Sequence, residues 1–120
     1  MKLTGKCKED FEKWYEKKPF RLPQKTKKYS GDGLCFLDLN NSMQYGVYVD
    51  FFDSVGINID VCHNYILDGK NDNIIILGYY YELNAKPNIH VSQDCEDHKT
   101  RSQARELAIE KANEIYNNED

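Results

Sequence analysis

Apolar and polar positions alternate at three different rhythms along this chain, and each rhythm predicts an element. Between Thr4 and Lys17, Cys7, Phe11, Trp14 and Tyr15 recur at helical spacing, with Thr4 placed as an N-cap and Pro19 closing the segment. Its aromatic face is expected to pack on a sheet. Leu34–Leu39 is a short apolar run after the turn-forming Ser30–Gly33 and reads as a strand. Ile57–Leu67 alternates with period two, placing Ile57, Ile59, Val61 and Tyr65 on one side. Asp68–Asp72 has the composition of a hairpin loop. Asn73–Leu83 is the strongest strand, apolar on both faces at first and aromatic later, which suits a central strand covered by helices on one side. A short third strand, Ile89–Ser92, follows the turn at 85–88, and 94–98 reads as a polar loop.

The stretch from Ser42 to Val61 fits two periods. As a helix it brings Met43, Val47, Phe51 and Val55 to one face, with Tyr48 and Phe52 beside them; as a strand, Met43, Tyr45, Val47, Val49 and Phe51 alternate with smaller or polar residues. The ends favour the helix, over about Met43–Val55. Asn40, Asn41 and Ser42 are good N-caps, and Gly56 before Ile57 suits a left-handed C-terminal residue with an apolar follower. Gly46 and two interior valines weigh the other way, so the strand is kept as the alternative. Either period predicts Val47, Phe51 and Val55 in the core.

The final element is the most regular. Thr100 with Gln103 forms a capping box, and Ala104, Leu107, Ala108, Lys111, Ala112, Ile115 and Tyr116 trace a helical stripe over 101–117. Leu107, Ala108, Ala112 and Ile115 are expected to bury against the sheet. The whole is an α+β fold: one domain over residues 1–120, with an antiparallel three- to four-stranded sheet packed by an N-terminal, a central and a C-terminal helix. Residues 17–33 form a basic, proline-containing surface segment.

Composition narrows the function classes. With 120 residues, 40% apolar and 12% aromatic, the chain can bury a core without staples. It has no apolar run long enough to span a bilayer and no apolar core of a signal peptide, so the expected location is the cytoplasm. Cys7, Cys35, Cys62 and Cys95 stand 28, 27 and 33 positions apart and read as reduced, mostly buried thiols. The net charge of −4 is unevenly spread: residues 1–28 hold ten basic against four acidic residues, whereas 29–98 hold two against eleven. An acidic body with a basic N-terminal region leaves one local patch for a phosphate-bearing partner.

No residue pattern carries a catalytic mechanism. Cys95 and His98 at C-x-x-H spacing, with Cys62 before His63, could supply metal ligands, but nothing in the sequence fixes their convergence, and no metal or other cofactor is expected. Asp50 and Asp53 read as the solvent face of the central helix. Phosphate-binding glycine loops and hydrolase or metalloprotease spacings are missing. The candidates for binding are Lys25, Lys27 and Lys28 in the basic segment, Lys99, Arg101 and Arg105 at the start of the last helix, and the consecutive Tyr79, Tyr80 and Tyr81. Rings in this arrangement can stack on a base or fill a protein pocket.

Two resemblances add to this. SMQYGVYVDFFDSVGI paired with KTRSQARELAIEKANEIYN resembles small uncharacterised proteins of bacteriophages and prophages, which implies a source in a phage or mobile element and a role in binding a host protein, counter-defence included. Lys99, Arg101 and Arg105, with Ala104 and Ala108 as packing alanines, are similar to the last helix of double-stranded-RNA-binding domains, whose order is helix, three strands, helix. The expected function is therefore a non-enzymatic binding protein acting on a host protein. The alternative is a module that binds nucleic acid or a nucleotide through the basic face and the tyrosines.

Overall fold

The computed structural model describes residues 2–17, 36–70, 73–85, 89–93 and 100–118. Its elements run α1 (Gly5–Glu16), a single 3₁₀ turn (Phe36–Asp38), α2 (Asn41–Ser54), β1 (Ile57–Asp68), β2 (Asn73–Ala85), β3 (Ile89–Gln93) and α3 (Arg101–Asn118). The three strands form one antiparallel sheet in the order β1-β2-β3, so the fold is α+β.

Local chemistry explains where the helices begin and end. Asn40 Oδ1 accepts the Met43 amide at 2.9 Å, which fixes the start of α2. Gly56, at φ +87°, turns the chain out of α2 directly into β1. At α3 the capping box is complete: the Gln103 amide donates to Thr100 Oγ1 at 3.1 Å and the Thr100 amide to Gln103 Oε1 at 3.2 Å. The ambiguous central stretch is thus a helix, and the capping residues at its ends are what decided it.

α1 is held differently. Thr4 occupies the N-cap position, yet its hydroxyl makes no capping bond. The cap comes from α3: Asn117 Oδ1 accepts the Cys7 amide and Asn113 Oδ1 the Thr4 amide, both at 2.9 Å. Asn117 Nδ2 donates to the Thr4 carbonyl at 2.9 Å, and the Tyr116 hydroxyl donates to Asp10 Oδ2 at 2.5 Å. Gly5 has φ +60°, and a Cβ there would stand 3.2 Å from Asn117 Oδ1, so this junction requires glycine.

The aromatic face of α1 packs on α2 and α3, which already occupy the helix-bearing side of the sheet, instead of on the sheet as its pattern suggested. Phe11 lies 5.0 Å from Tyr48, 5.1 Å from Phe36 and 5.4 Å from Phe51, ring centre to ring centre, and Trp14 lies 5.5 Å from Phe51. Edge and tilted contacts of this kind add to the burial of the rings themselves.

Below them, Ile57, Ile59, Tyr81 and Leu83 form the core side of the sheet, while Asn58, Asp60 and Asn84 face solvent. α3 spans the whole arrangement, touching β1, β2, α1 and α2. Ala104, Ala108 and Ala112 are fully buried at a spacing of four, and so is Ile109 one step round the helix.

Three expectations need correction. Val55 is 38% exposed and Met43 is exposed, because residues four apart advance about 40° beyond a full turn at each step, so a stripe drawn at that spacing leaves the buried face at both ends. The buried face of α2 is Tyr48, Phe51 and Phe52, with Val47 half-buried. The segment expected as a strand at Leu34–Leu39 is, from Phe36 on, a 3₁₀ turn leading straight into the α2 cap, with Leu37 exposed; Leu34 and Cys35 lie outside the described residues, as do the loop expected at 94–98 and most of 17–33. In α3, Leu107 and Ile115 are only half-buried, and Ile109, absent from the expected stripe, takes the buried place because α3 is enclosed on more than one side.

Ile109→Ala is accordingly expected to lower unfolding free energy by about 2–5 kcal/mol, and Leu107→Ala by about 1 kcal/mol. Urea unfolding of the two variants checks this. Equal losses would show that α3 is not enclosed as described.

Candidate functional site

The outer half of the β1–β2 hairpin is the unusual surface of this protein. β3 pairs only with Tyr81–Ala85, so from Tyr80 back to Asn73 the strand β2 has, among the described residues, only β1 beside it. The turn at the end of this ribbon is shaped by Asp68, whose Oδ1 accepts the Lys70 amide at 3.1 Å. Within it Asn64 pairs with Gly78 but Tyr65 with Ile76, so Leu77 is an extra residue on β2. Beyond that bulge the pairs are Tyr65 with Ile76, Ile66 with Ile75, and Leu67 with Ile74.

Directly opposed residues share a face, so the bulge sorts these six side chains into two groups. Tyr65, Leu67, Ile74 and Ile76 continue the face that carries Ile57, Ile59 and Val61, which is the core side of the sheet. Ile66 and Ile75 continue the outer side. All six stand in water: the quartet is between 51 and 66% exposed and the pair 45–50%. Scattered exposed apolar residues are ordinary, but a contiguous cross-strand patch continuing a core face is not. It is bordered by His63 and Tyr79, whose rings are 6.5 Å apart, and the His63 ring is 5.6 Å from that of Tyr65. From Val61 to Leu67 and from Asn73 to Tyr81 there is no Asp, Glu, Lys or Arg.

Of the residues singled out from the sequence, Tyr79 borders this patch and Tyr80 follows it on the same strand, while the others fall elsewhere. Lys25, Lys27, Lys28 and Lys99 lie outside the described residues. Arg101 and Arg105, one turn apart on α3, each lie over a ring: the Arg101 guanidinium is 5.5 Å from the centre of Tyr79, and that of Arg105 is 4.8 Å from the centre of Tyr45. Arg105 Nη1 also donates to Ser42 Oγ at 3.2 Å, so this arginine fastens α3 to the start of α2. Burial pushes the Tyr45 hydroxyl up to about 12 against the opposing pull of Arg105, so the ring stays neutral beneath the cation.

Among the tyrosines, Tyr81 is 3% exposed and belongs to the core, out of reach of a ligand, while Tyr79 and Tyr80 are half-buried. The triplet therefore does not present three rings to one partner.

The chemistry available to these groups is limited. Burial, with Asp10 nearby, raises the Cys7 thiol to about 12, which leaves it protonated and a poor nucleophile. Cys62 and His63 are adjacent on β1 and point to opposite faces, so they do not form one ligand pair; no cluster of three metal-ligating side chains occurs among the described residues, which exclude Cys95 and His98. Asp50 and Asp53 face solvent at the end of α2. No helix among the described residues is long and apolar enough to cross a membrane. No family model, curated protein or solved structure matches the chain.

The apolar ribbon was legible in part, since the long uncharged runs were visible in the sequence. That they share an uncovered face was not, because the bulge at Leu77 and the short reach of β3 are properties of the fold.

Two measurements follow from this geometry. The Asp53 carboxyl is raised above its ordinary value of 3.8 by desolvation and by the carboxylates of Asp50 and Asp60. A raised acid favours the protonated folded state, so its ionisation destabilises the fold as pH rises from 3.8 through the folded value, and the penalty is fully present at neutral pH. Asp53→Asn is expected to raise the melting temperature at pH 7, with the advantage vanishing below about pH 3.8; a pH series of thermal melts decides it. A double-mutant cycle of Arg105→Ala and Tyr45→Leu is expected to give a coupling of about 0.5–2 kcal/mol, and additive losses would mean that the stacked pair contributes nothing.

Proposed function

We propose that this chain is a non-enzymatic protein-binding module whose contact element is the outer β1–β2 ribbon. The observation that supports it is the quartet Tyr65, Leu67, Ile74 and Ile76, which carries the core face of the sheet past the end of its helical cover and leaves it in water. Apolar area of this kind, flanked by aromatic rings and free of charge, has the composition of an interface centre. It offers nothing to a phosphate backbone. The arginines at the start of α3, which the nucleic-acid reading would use, lie over Tyr79 and Tyr45, and Arg105 already donates to Ser42 Oγ. The likeness to phage accessory proteins makes a host protein the partner to look for, in a role such as counter-defence.

Affinity capture from a bacterial lysate tests this reading. The wild-type chain is expected to retain a defined protein, and a variant carrying Ile66→Glu, Leu67→Glu, Ile74→Glu and Ile75→Glu is expected to melt as a folded protein and retain none. Capture by that variant at the wild-type level would place binding elsewhere. Retention that collapses with added salt while surviving the glutamates would favour nucleic acid and the α3 arginines.

A further inference from the structure

We propose that the core-side face of the ribbon, Tyr65, Leu67, Ile74 and Ile76, is the seam of a twofold dimer in which the ribbon of a second copy lies across it. This rests on the reading of the ribbon as a protein-binding element and names the partner that its inner face takes.

Three observations select a second copy. The first is the layer that is missing. Over Ile57, Ile59, Leu83 and Tyr81 the sheet is covered by α2 and α3, and over the quartet by nothing among the described residues. A covering layer on a sheet sits about 10 Å above it, and a second sheet packs at that same distance, so an antiparallel ribbon fits the gap end to end with the helices. A twofold axis through the middle of the quartet lays each ribbon into the other copy's gap. The seam is then isologous and closes on itself.

The second observation is charge. The stretch from residue 29 to 98 holds eleven acidic residues against two basic ones, so contact between these stretches of two copies brings like charges together wherever the surface is charged. The ribbon from Val61 to Leu67 and from Asn73 to Tyr81 holds no charged residue. Two identical acidic bodies can meet there with no like-charged pair in the contact, and a basic partner would find no carboxylate among these residues. The cation nearest the rim, Arg101, is stacked on Tyr79.

The third is area. Four large side chains each more than half exposed present on the order of 400 Å² of apolar surface, and two such patches with their His63 and Tyr79 rims approach the roughly 1,200 Å² at which specific interfaces begin. An interface of that size gives a dimer of moderate affinity. Because the seam is neutral, its strength changes little with salt. The outer pair, Ile66 and Ile75, faces away from the seam and stays available to a different protein.

Sedimentation equilibrium on the full chain tests the assignment. Wild-type protein is expected to be dimeric at concentrations on the order of 100 μM and to remain so at high salt. Leu67→Glu with Ile74→Glu is expected to be monomeric, and Ile66→Glu with Ile75→Glu to stay dimeric. Thermal melts of each variant establish that it is folded. Leu67→Thr with Ile74→Thr, which places a β-branched residue at both strand positions, is expected to weaken the dimer at least about tenfold should the glutamate pair fail to fold. A monomeric wild type overturns the proposal, as does a dimer broken by the outer pair and not by the quartet. Should the wild type be monomeric yet lose its captured lysate protein with the four glutamates, the second copy is ruled out and the binding-module reading stands. A monomer that captures nothing removes both.

Discussion

The fold depends on α3 being able to come close to everything else at once. Ala104, Ala108 and Ala112 present almost no side chain, so the helix backbone can settle against β1 and β2, and Ile109 fills the neighbouring direction. Its last turns then reach α1, where Asn113 and Asn117 accept the amides that the start of α1 leaves open and the Tyr116 hydroxyl donates to Asp10 one turn on. A helix that caps another helix from 110 positions away joins the two ends of the chain. Loss of its docking would expose the alanine ridge and orphan the first amides of α1 together.

Above this frame the interior is unusually aromatic. Phe11, Trp14, Phe36, Tyr48 and Phe51 contact one another in tilted and edge geometries, tying α1, the 3₁₀ turn and α2 into one cluster. The sheet contributes aliphatic side chains below. Two stacked layers form, rings over aliphatics, with α2 and α3 between the sheet and α1. This is why α1, which has the most regular aromatic face in the chain, packs on α2 and α3 and not mainly on the sheet it was expected to cover.

The exposed ribbon arises from a mismatch of strand lengths. β1 and β2 have 12 and 13 residues, whereas β3 has five and pairs only with the inner end of β2. A ribbon that outruns both its third strand and its helices exposes the same apolar face that builds the core. Two-stranded ribbons are weak on their own, so one that carries large apolar side chains in water gains by being covered. The arginines over Tyr45 and Tyr79 stand at the border between covered and uncovered sheet.

Read alone, the chain fixes most of the local structure. Asn40, Gly56, Thr100 and Gln103 set helix ends through bonds to nearby backbone or through a left-handed φ, and these are visible because they act within a few residues. The strands β1, β2 and β3, and the choice of helix over strand for α2, follow in the same way. Tertiary structure decided everything that needs a distant partner. Leu107 and Ile109 are both apolar and stand two positions apart, on different sides of α3, and which of them is buried depends on what encloses the helix. Tyr81 and Tyr79 share a strand face, and only the position of the helical layer makes one core and the other rim. Tyr65, Leu67, Ile74 and Ile76 sit in apolar runs that read like those of a buried strand, because the sequence pattern records which side chains are apolar and share a face and carries no information about whether another element covers it.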